Sequence, residues 1–142
     1  MAADLKVLIR LGEWQVDEKR RALGELFSLR EDLDNQASAL EAELQREQEA
    51  ASFDPVASLH YGSFANQVIE RRERIAESIR RMEEEIVKAQ DVLAEAFRDL
   101  KKYEIAEQAR VKRAAAAEAR EEQIVLDEIG QESYRRNLAG RV

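Results

Sequence analysis

The chain has 142 residues, of which 37% are charged and 6% aromatic, with one proline, no cysteine and a formal net charge of −7. Without cysteine it has neither disulfide bonds nor a thiolate metal site, and its composition is typical of long helices or coiled coils. The acidic charge argues against binding to nucleic acid or to an anionic membrane, because both depend on Lys and Arg side chains. The sequence contains neither an apolar run long enough to span a bilayer nor a secretory signal pattern.

The first third of the chain has a seam of mainly apolar residues at alternating steps of four and three, which predicts a coiled-coil helix over about residues 4–51. Lys19 and Arg30 occupy seam positions where apolar residues are expected, which favours a role in fixing the register. Gly12 also lies on the seam and indicates simple tolerance, a close approach of the second helix, or flexing of the open end of the hairpin. The seam positions are Leu5, Ile9, Gly12, Val16, Lys19, Leu23, Leu26, Arg30, Leu33, Ala37, Leu40 and Leu44.

Asp54 and Pro55 predict the boundary between two helices, with aspartate as the N-cap and proline at the first helical position. We expect a turn over about residues 52–57 and a second helix over about 58–137. The second seam consists of Val68, Arg72, Ile75, Ile79, Met82, Ile86, Ala89, Leu93, Ala96, Leu100 and Tyr103. Two seams joined by a short connection predict an all-α fold: one domain over residues 1–142, formed by two long helices in an antiparallel coiled-coil hairpin.

The second helix is predicted to be longer than the first. Folding the chain near Asp54 places Leu5 beside Glu104 or Ile105, so the residues after Ile105 are expected to overhang. This overhang is rich in helix-forming residues, and the four alanines Ala114–Ala117 form a narrow waist. Two interpretations stay open: a solvated tail that frays, or a rod that enters another protein.

Three apolar residues near the N-terminus lie off the seam. Val7, Leu11 and Trp14 are spaced at i, i+4 and i+7 and therefore share one face of the first helix. They indicate either packing against the long helix or a second copy, or a surface that docks a partner. After the turn, Tyr61 and Phe64 are spaced to hold the two helices together there.

The sequence predicts neither an enzyme nor a cofactor. It contains no glycine-rich phosphate loop, no Ser/His/Asp set and no cluster of metal ligands, and its single histidine, His60, is interpreted as an exposed residue near the turn. The first helix becomes acidic towards the turn, which indicates a basic partner at that end. The acidic residues, opposed there by Arg46, are Glu31, Asp32, Asp34, Glu41, Glu43, Glu47, Glu49 and Asp54.

Three segments together resemble the flagellar FliJ family, the small coiled-coil component of the flagellar type III export apparatus. They are "LKVLIRLGEWQVDEKRRALGEL" near the start, "YGSF" after the turn and "LKKYEIAEQARVKRAAAAEAREEQIVLDEI" in the second helix. The resemblance covers nearly the whole chain. Its more specific positions lie off the seams: Trp14 with Asp17 and Glu18, the Tyr61-x-x-Phe64 pair, the Lys101/Glu104 region and the Asp127-Glu128 pair.

The resemblance implies a stalk-like protein, similar to the central stalk subunit of rotary ATPases. Its implied partners are the hexameric flagellar export ATPase, the cytoplasmic domain of the export gate, and export chaperones. Its implied location is the cytoplasm, peripheral to the inner membrane at the flagellar base, where it serves flagellum biogenesis and motility. Two alternatives remain without an ATPase partner: a structural or dimerising coiled-coil adaptor, and an export chaperone.

With the resemblance included, two sets of residues are expected to bind partners. The set expected at the ATPase is Val7, Leu11, Trp14, Arg110, Arg113, Ala114, Ala117, Arg120, Asp127 and Glu128. The set expected at the export gate, near the turn, is Leu40, Leu44, Tyr61, Phe64, Val68 and Arg72.

Overall fold

The computed structural model describes residues 2–140, which form two helices. Helix α1 spans Ala2–Phe53 and helix α2 spans Pro55–Gly140, 52 and 86 residues long. The predicted all-α hairpin with a longer second helix is confirmed. Residues 1, 141 and 142 of the predicted domain lie outside the described range. The chain divides into two compact units: a terminal unit of residues up to Glu13 with those from Arg98 onward, and a turn unit of Trp14–Phe97.

The connection between the helices is shorter than the predicted turn over residues 52–57, because Asp54 is the only residue of the described range outside a helix. The backbone N–H of Asp54 donates to the Ala50 carbonyl oxygen at 3.0 Å and closes α1. The backbone N–H of Val56 then donates to the Asp54 carboxylate at 2.9 Å, which caps α2. Pro55 has no N–H to satisfy and a backbone angle preset for helix, so α2 begins at once.

The turn unit is held together by the two predicted seams. Its buried apolar side chains are Val16, Leu40, Val68, Ile86 and Ala96. Nearly all other seam positions in this unit are half-buried, since a two-helix coiled coil has one contact line and leaves most side chains partly in water. Lys19 and Arg72 are the exposed exceptions, because long cationic side chains extend from the seam towards solvent.

Two ion pairs join the helices of the turn unit. Arg72 Nη2 lies 2.6 Å from Glu41 Oε1, and Arg30 Nη2 donates to Glu83 Oε1 at 2.8 Å. Such half-exposed pairs add little stability, typically about 0–1 kcal/mol. A slip of one heptad would separate both pairs, so they favour this register over its neighbours.

In the terminal unit, the close approach of α1 to α2 depends on Gly12. Gly12 is buried, and a Cβ at this position would lie 3.1 Å from Leu100 Cδ1 and 3.5 Å from Leu100 Cα. Those distances are at or below ordinary van der Waals contact, so a larger side chain would push the helices apart. The interpretation of Gly12 as a close-approach residue is confirmed.

Gly12 and Gly24 are expected to respond oppositely to substitution. Gly12→Val should lower the free energy of unfolding by about 1–3 kcal/mol, because its methyl groups overlap Leu100. Gly24→Ala should raise it by about 1 kcal/mol, because the new Cβ would meet no atom within 4 Å beyond its chain neighbours and its own helix backbone, and alanine is the better helix former. Urea unfolding followed by circular dichroism measures both changes. Equal effects at the two positions would contradict the close approach.

Candidate partner-binding surfaces

Helix α2 continues far beyond its last half-buried residue, Arg110. Every described residue from 111 to 140 is exposed, and we name this segment the C-terminal extension. The predicted start of the overhang, directly after Ile105, is wrong by five residues, since Ala106, Glu107 and Arg110 are still half-buried. The earlier start of α1, at Ala2, accounts for part of this difference. A shift in the pairing, which places Leu100 against Gly12 and Lys6 near Glu107, accounts for the rest.

A bidentate ion pair between Arg110 and Glu107 lies at the end of the part of α2 that packs against α1. Arg110 Nη2 donates to Glu107 Oε1 at 2.7 Å, and Arg110 Nε donates to Glu107 Oε2 at 3.0 Å. The hydrogen bond from Arg110 lowers the pKa of Glu107, and the positive charge of Lys6 on α1 acts in the same direction. The same hydrogen bond raises the pKa of Arg110. Arg110 therefore lies at the base of the extension with its guanidinium already held by Glu107.

The other residues that the sequence assigns to the ATPase end of α2 all lie on the C-terminal extension and are exposed: Arg113, Ala114, Ala117, Arg120, Asp127 and Glu128. Local side-chain pairs support the helix here. Gln123 Nε2 donates to Asp127 Oδ1 at 3.0 Å, and Arg136 Nη2 donates to Glu132 Oε1 at 2.7 Å. Helix-forming residues and such pairs keep the segment helical without a covering chain.

The extension also presents apolar side chains that the sequence pattern did not single out. These exposed residues are Val111, Ile124, Val125, Leu126, Ile129, Tyr134 and Leu138. The densest group lies between Ile124 and Ile129, where four of six residues are apolar and between 52% and 62% exposed. A local count of apolar residues would have found this group, although the two predicted seams do not include it.

The three N-terminal off-seam residues are exposed in the structure. In the terminal unit, Val7 is 60% and Leu11 is 47% exposed. Trp14, the first residue of the turn unit, is 59% exposed. The alternative in which α2 buries these side chains is therefore wrong. Their role as a docking surface stays a prediction.

The residues assigned to the gate-binding set differ in accessibility. Leu40 and Val68 are buried between the helices, while Leu44, Tyr61 and Phe64 are half-buried. Arg72 is exposed and paired with Glu41. A partner at this end therefore reaches Arg72 and the outer edges of the aromatic pair, whereas the buried members hold the helices together.

Three exposed apolar residues at the turn were also missed by sequence reasoning: Phe53, Val56 and Leu59. We name them the apolar cap. Phe53 is the last residue of α1, and Val56 and Leu59 are one turn apart at the start of α2. They lie beside the Asp54-Pro55 boundary and off both seams. Apolar residues in such a position could have been identified from the sequence as exposed.

Residues 2–140 offer neither a metal site nor a membrane span. Within that range, no three His, Asp or Glu side chains lie close enough together to hold a metal ion. Neither described helix contains a stretch that is long and apolar enough to span a membrane.

Comparisons with known proteins agree with the geometry. A family model described as "Flagellar FliJ protein" matches residues 1–139. Proteins named "Flagellar FliJ protein" from two strains of Caulobacter vibrioides are each 32% identical to this chain over 105 residues, which is 73% of this chain and 76% of each relative. No solved structure matches the chain. The chain therefore belongs to the flagellar FliJ family, the coiled-coil component of the flagellar type III protein export apparatus.

Proposed function

We propose that this protein is a non-enzymatic stalk of the flagellar export apparatus, whose C-terminal extension binds the hexameric export ATPase and promotes assembly of its ring and protein export. The observation that carries this proposal is the extension itself. It is a continuous helix about 45 Å long, exposed on every side and uncovered by any other described part of the chain. Membership of the FliJ family supports the proposal, because the family belongs to an export apparatus.

The chemistry of the extension favours a rod inside a partner over a fraying tail. Helix α2 continues without interruption to Gly140. Ala114–Ala117 give the narrowest helix that side chains other than glycine allow, which suits a closely fitting ring. The apolar group from Ile124 to Ile129 would lose contact with water on binding, at about 25 cal/mol per Å² of buried apolar surface. A tail that stays in solvent would leave these apolar side chains in water, so their presence favours binding to a partner.

The turn unit supplies the second proposed contact, with the cytoplasmic domain of the export gate. Support comes from the acidic end of α1, from the exposed Arg72 and from the outer edges of Tyr61 and Phe64. Export chaperones are further partners. These contacts place the protein in the cytoplasm, peripheral to the inner membrane at the flagellar base.

A dimerising adaptor is the second candidate, because the exposed residues Ile124, Val125 and Ile129 could pair with the same residues of another copy. Sedimentation equilibrium of the purified full chain separates the two candidates. A monomer at micromolar concentration supports the stalk. A tight dimer that dissociates when Val125 and Ile129 are replaced by glutamine supports the adaptor.

The proposal is tested by widening the waist. The double variant Ala114→Gln with Ala117→Gln should reduce stimulation of ATP hydrolysis by the purified export ATPase about tenfold, because larger side chains overlap an enclosing surface. Helical content should stay unchanged, since glutamine is a good helix former. Ala76→Gln, at an exposed alanine of the turn unit, is the matched control and should stimulate normally. Full stimulation by the waist variant would contradict enclosure of the extension.

A further inference from the structure

The apolar cap is the most exposed apolar surface of the described chain. Phe53 is 88% and Leu59 is 82% exposed, the two highest values among large apolar side chains of residues 2–140, and Val56 is 63% exposed. Scattered apolar residues on a surface are ordinary, but three that surround one turn form a patch. No other described part of the chain covers them.

We infer that the apolar cap anchors the turn unit in a protein partner that offers an apolar recess bordered by Lys and Arg side chains. The inference rests on the proposed contact with the export gate and deepens it by naming the anchoring side chains and the chemistry of their receptor. Of the residues assigned to that contact from the sequence, only Arg72 and the outer edges of Tyr61 and Phe64 are accessible, so most of the contact needs further exposed side chains.

The charges on this chain around the apolar cap indicate which charges the partner should carry around its recess. Residues 42–69 contain four carboxylates, Glu43, Glu47, Glu49 and Asp54, and one cation, Arg46, giving a formal net charge of −3 with His60 neutral. All five of these charges lie on α1 or at the turn. The first fifteen residues of α2, 55–69, contain no acidic or basic residue apart from His60. The surface is therefore acidic along α1 and uncharged along α2, and a complementary partner is basic beside α1 and apolar below the cap.

The same charges disfavour two other occupants. A second copy docked cap to cap would bring two acidic ends together within a Debye length, about 8 Å at physiological salt. An anionic bilayer surface would repel the carboxylates in the same way. A basic protein surface is the one occupant of the three that the charge pattern attracts.

Hydrogen bonds at both helix ends hold the cap in place before binding. The Asp54 carboxylate accepts the Val56 backbone N–H at 2.9 Å, and Ser52 Oγ donates to the Glu49 carbonyl oxygen at 2.7 Å. With α1 closed at Asp54 and α2 capped immediately afterwards, Phe53, Val56 and Leu59 project from a fixed backbone. Preorganisation of this kind reduces the conformational entropy lost on binding.

The test measures the affinity of the full-length chain for the purified cytoplasmic domain of the export gate by isothermal titration. Phe53→Gln with Leu59→Gln should weaken binding at least about tenfold, the loss expected when buried apolar anchors are removed. Val87→Gln, at a 56% exposed position of the same unit, is the matched control and should bind as the unmodified chain does. Raising the salt concentration should weaken binding of the unmodified chain, because the border contacts are ionic.

The outcomes separate this inference from the proposed function. If the cap variant and the unmodified chain bind the gate domain with equal affinity, the apolar cap is not the anchor, while the proposed gate contact itself is supported. If the unmodified chain does not bind the gate domain, the gate contact fails and the inference fails with it. Binding to vesicles of phosphatidylglycerol that is lost in the cap variant would make a membrane the occupant and would also overturn the inference. Stimulation of the ATPase by the cap variant should be normal.

Discussion

A chain that ends at Arg110 is expected to remain folded but to lose its stimulation of the export ATPase. The residues removed, 111 to 140 and the two that follow, include only exposed ones in the described range. Their loss should change the free energy of unfolding by less than about 0.5 kcal/mol, as for other surface changes. The rate of ATP hydrolysis should fall to that of the ATPase alone. Hydrolysis assays and urea unfolding of the same preparation measure the two effects.

A chain that ends at Gly130 is the matched control for this truncation. It keeps both Ala114–Ala117 and the apolar group from Ile124 to Ile129. If these features make the contact, most of the stimulation should remain. Full stimulation by the chain ending at Arg110 would show that the extension is not the ATPase contact. If the chain ending at Arg110 is unfolded, the extension instead stabilises the part of the protein in which α1 and α2 pack together.

Val68→Asp is expected to destabilise the fold more than the same substitution at an exposed or half-buried position. Val68 is 1% exposed and is the most completely buried large side chain of the described residues. A carboxylate in that position would lose its hydration without gaining a partner, at a cost of about 4 kcal/mol or more. Val68→Ala, which removes two methyl groups, should cost about 2 kcal/mol. Urea unfolding followed by circular dichroism measures both values.

The neighbouring position supplies the control. Ile69 is 47% exposed, so Ile69→Asp should cost less than about 1 kcal/mol. The contrast between adjacent residues tests the face that α2 presents to α1. Equal losses at the two positions would contradict the seam that places Val68 inside and Ile69 outside.

The buried face of each helix was predictable because it follows a local period. Alternating steps of three and four locate the contact line of a coiled coil whichever helix lies opposite. The predicted positions are buried or half-buried except for Lys19 and Arg72. The side chains of Lys19 and Arg72 are long enough to extend from the seam into solvent. The spacing of residues along the chain does not indicate this.

The helix ends and the exact pairing were less predictable. The Asp54-Pro55 boundary was recognised, but the length of the connection depends on hydrogen bonds that form only once both helices are in place. The pairing of the two helices also differs from the sequence arithmetic. Gly12 lies against Leu100 and the charge of Lys6 acts on Glu107, whereas the arithmetic placed Leu5 beside Glu104 or Ile105.

The exposed apolar surfaces could not be inferred from periodicity. Phe53 and Leu59 lie beside the turn, and Val125 lies beyond the reach of α1. Whether such a side chain is covered depends on how far the opposite helix extends, which is a property of the folded chain. Regular spacing marks only the residues on a contact line, so it indicated neither the apolar cap nor the group from Ile124 to Ile129.

We propose that the C-terminal extension, and not the turn, contacts the export ATPase. The most direct test of this proposal places a photoreactive benzophenone side chain at Ala117 or, in a second preparation, at Leu59, and irradiates each full-length chain with the purified ATPase. If the extension makes the contact, covalent products with the ATPase form from position 117 and none form from position 59. Products from position 59 alone would contradict the proposal and would place the ATPase at the turn.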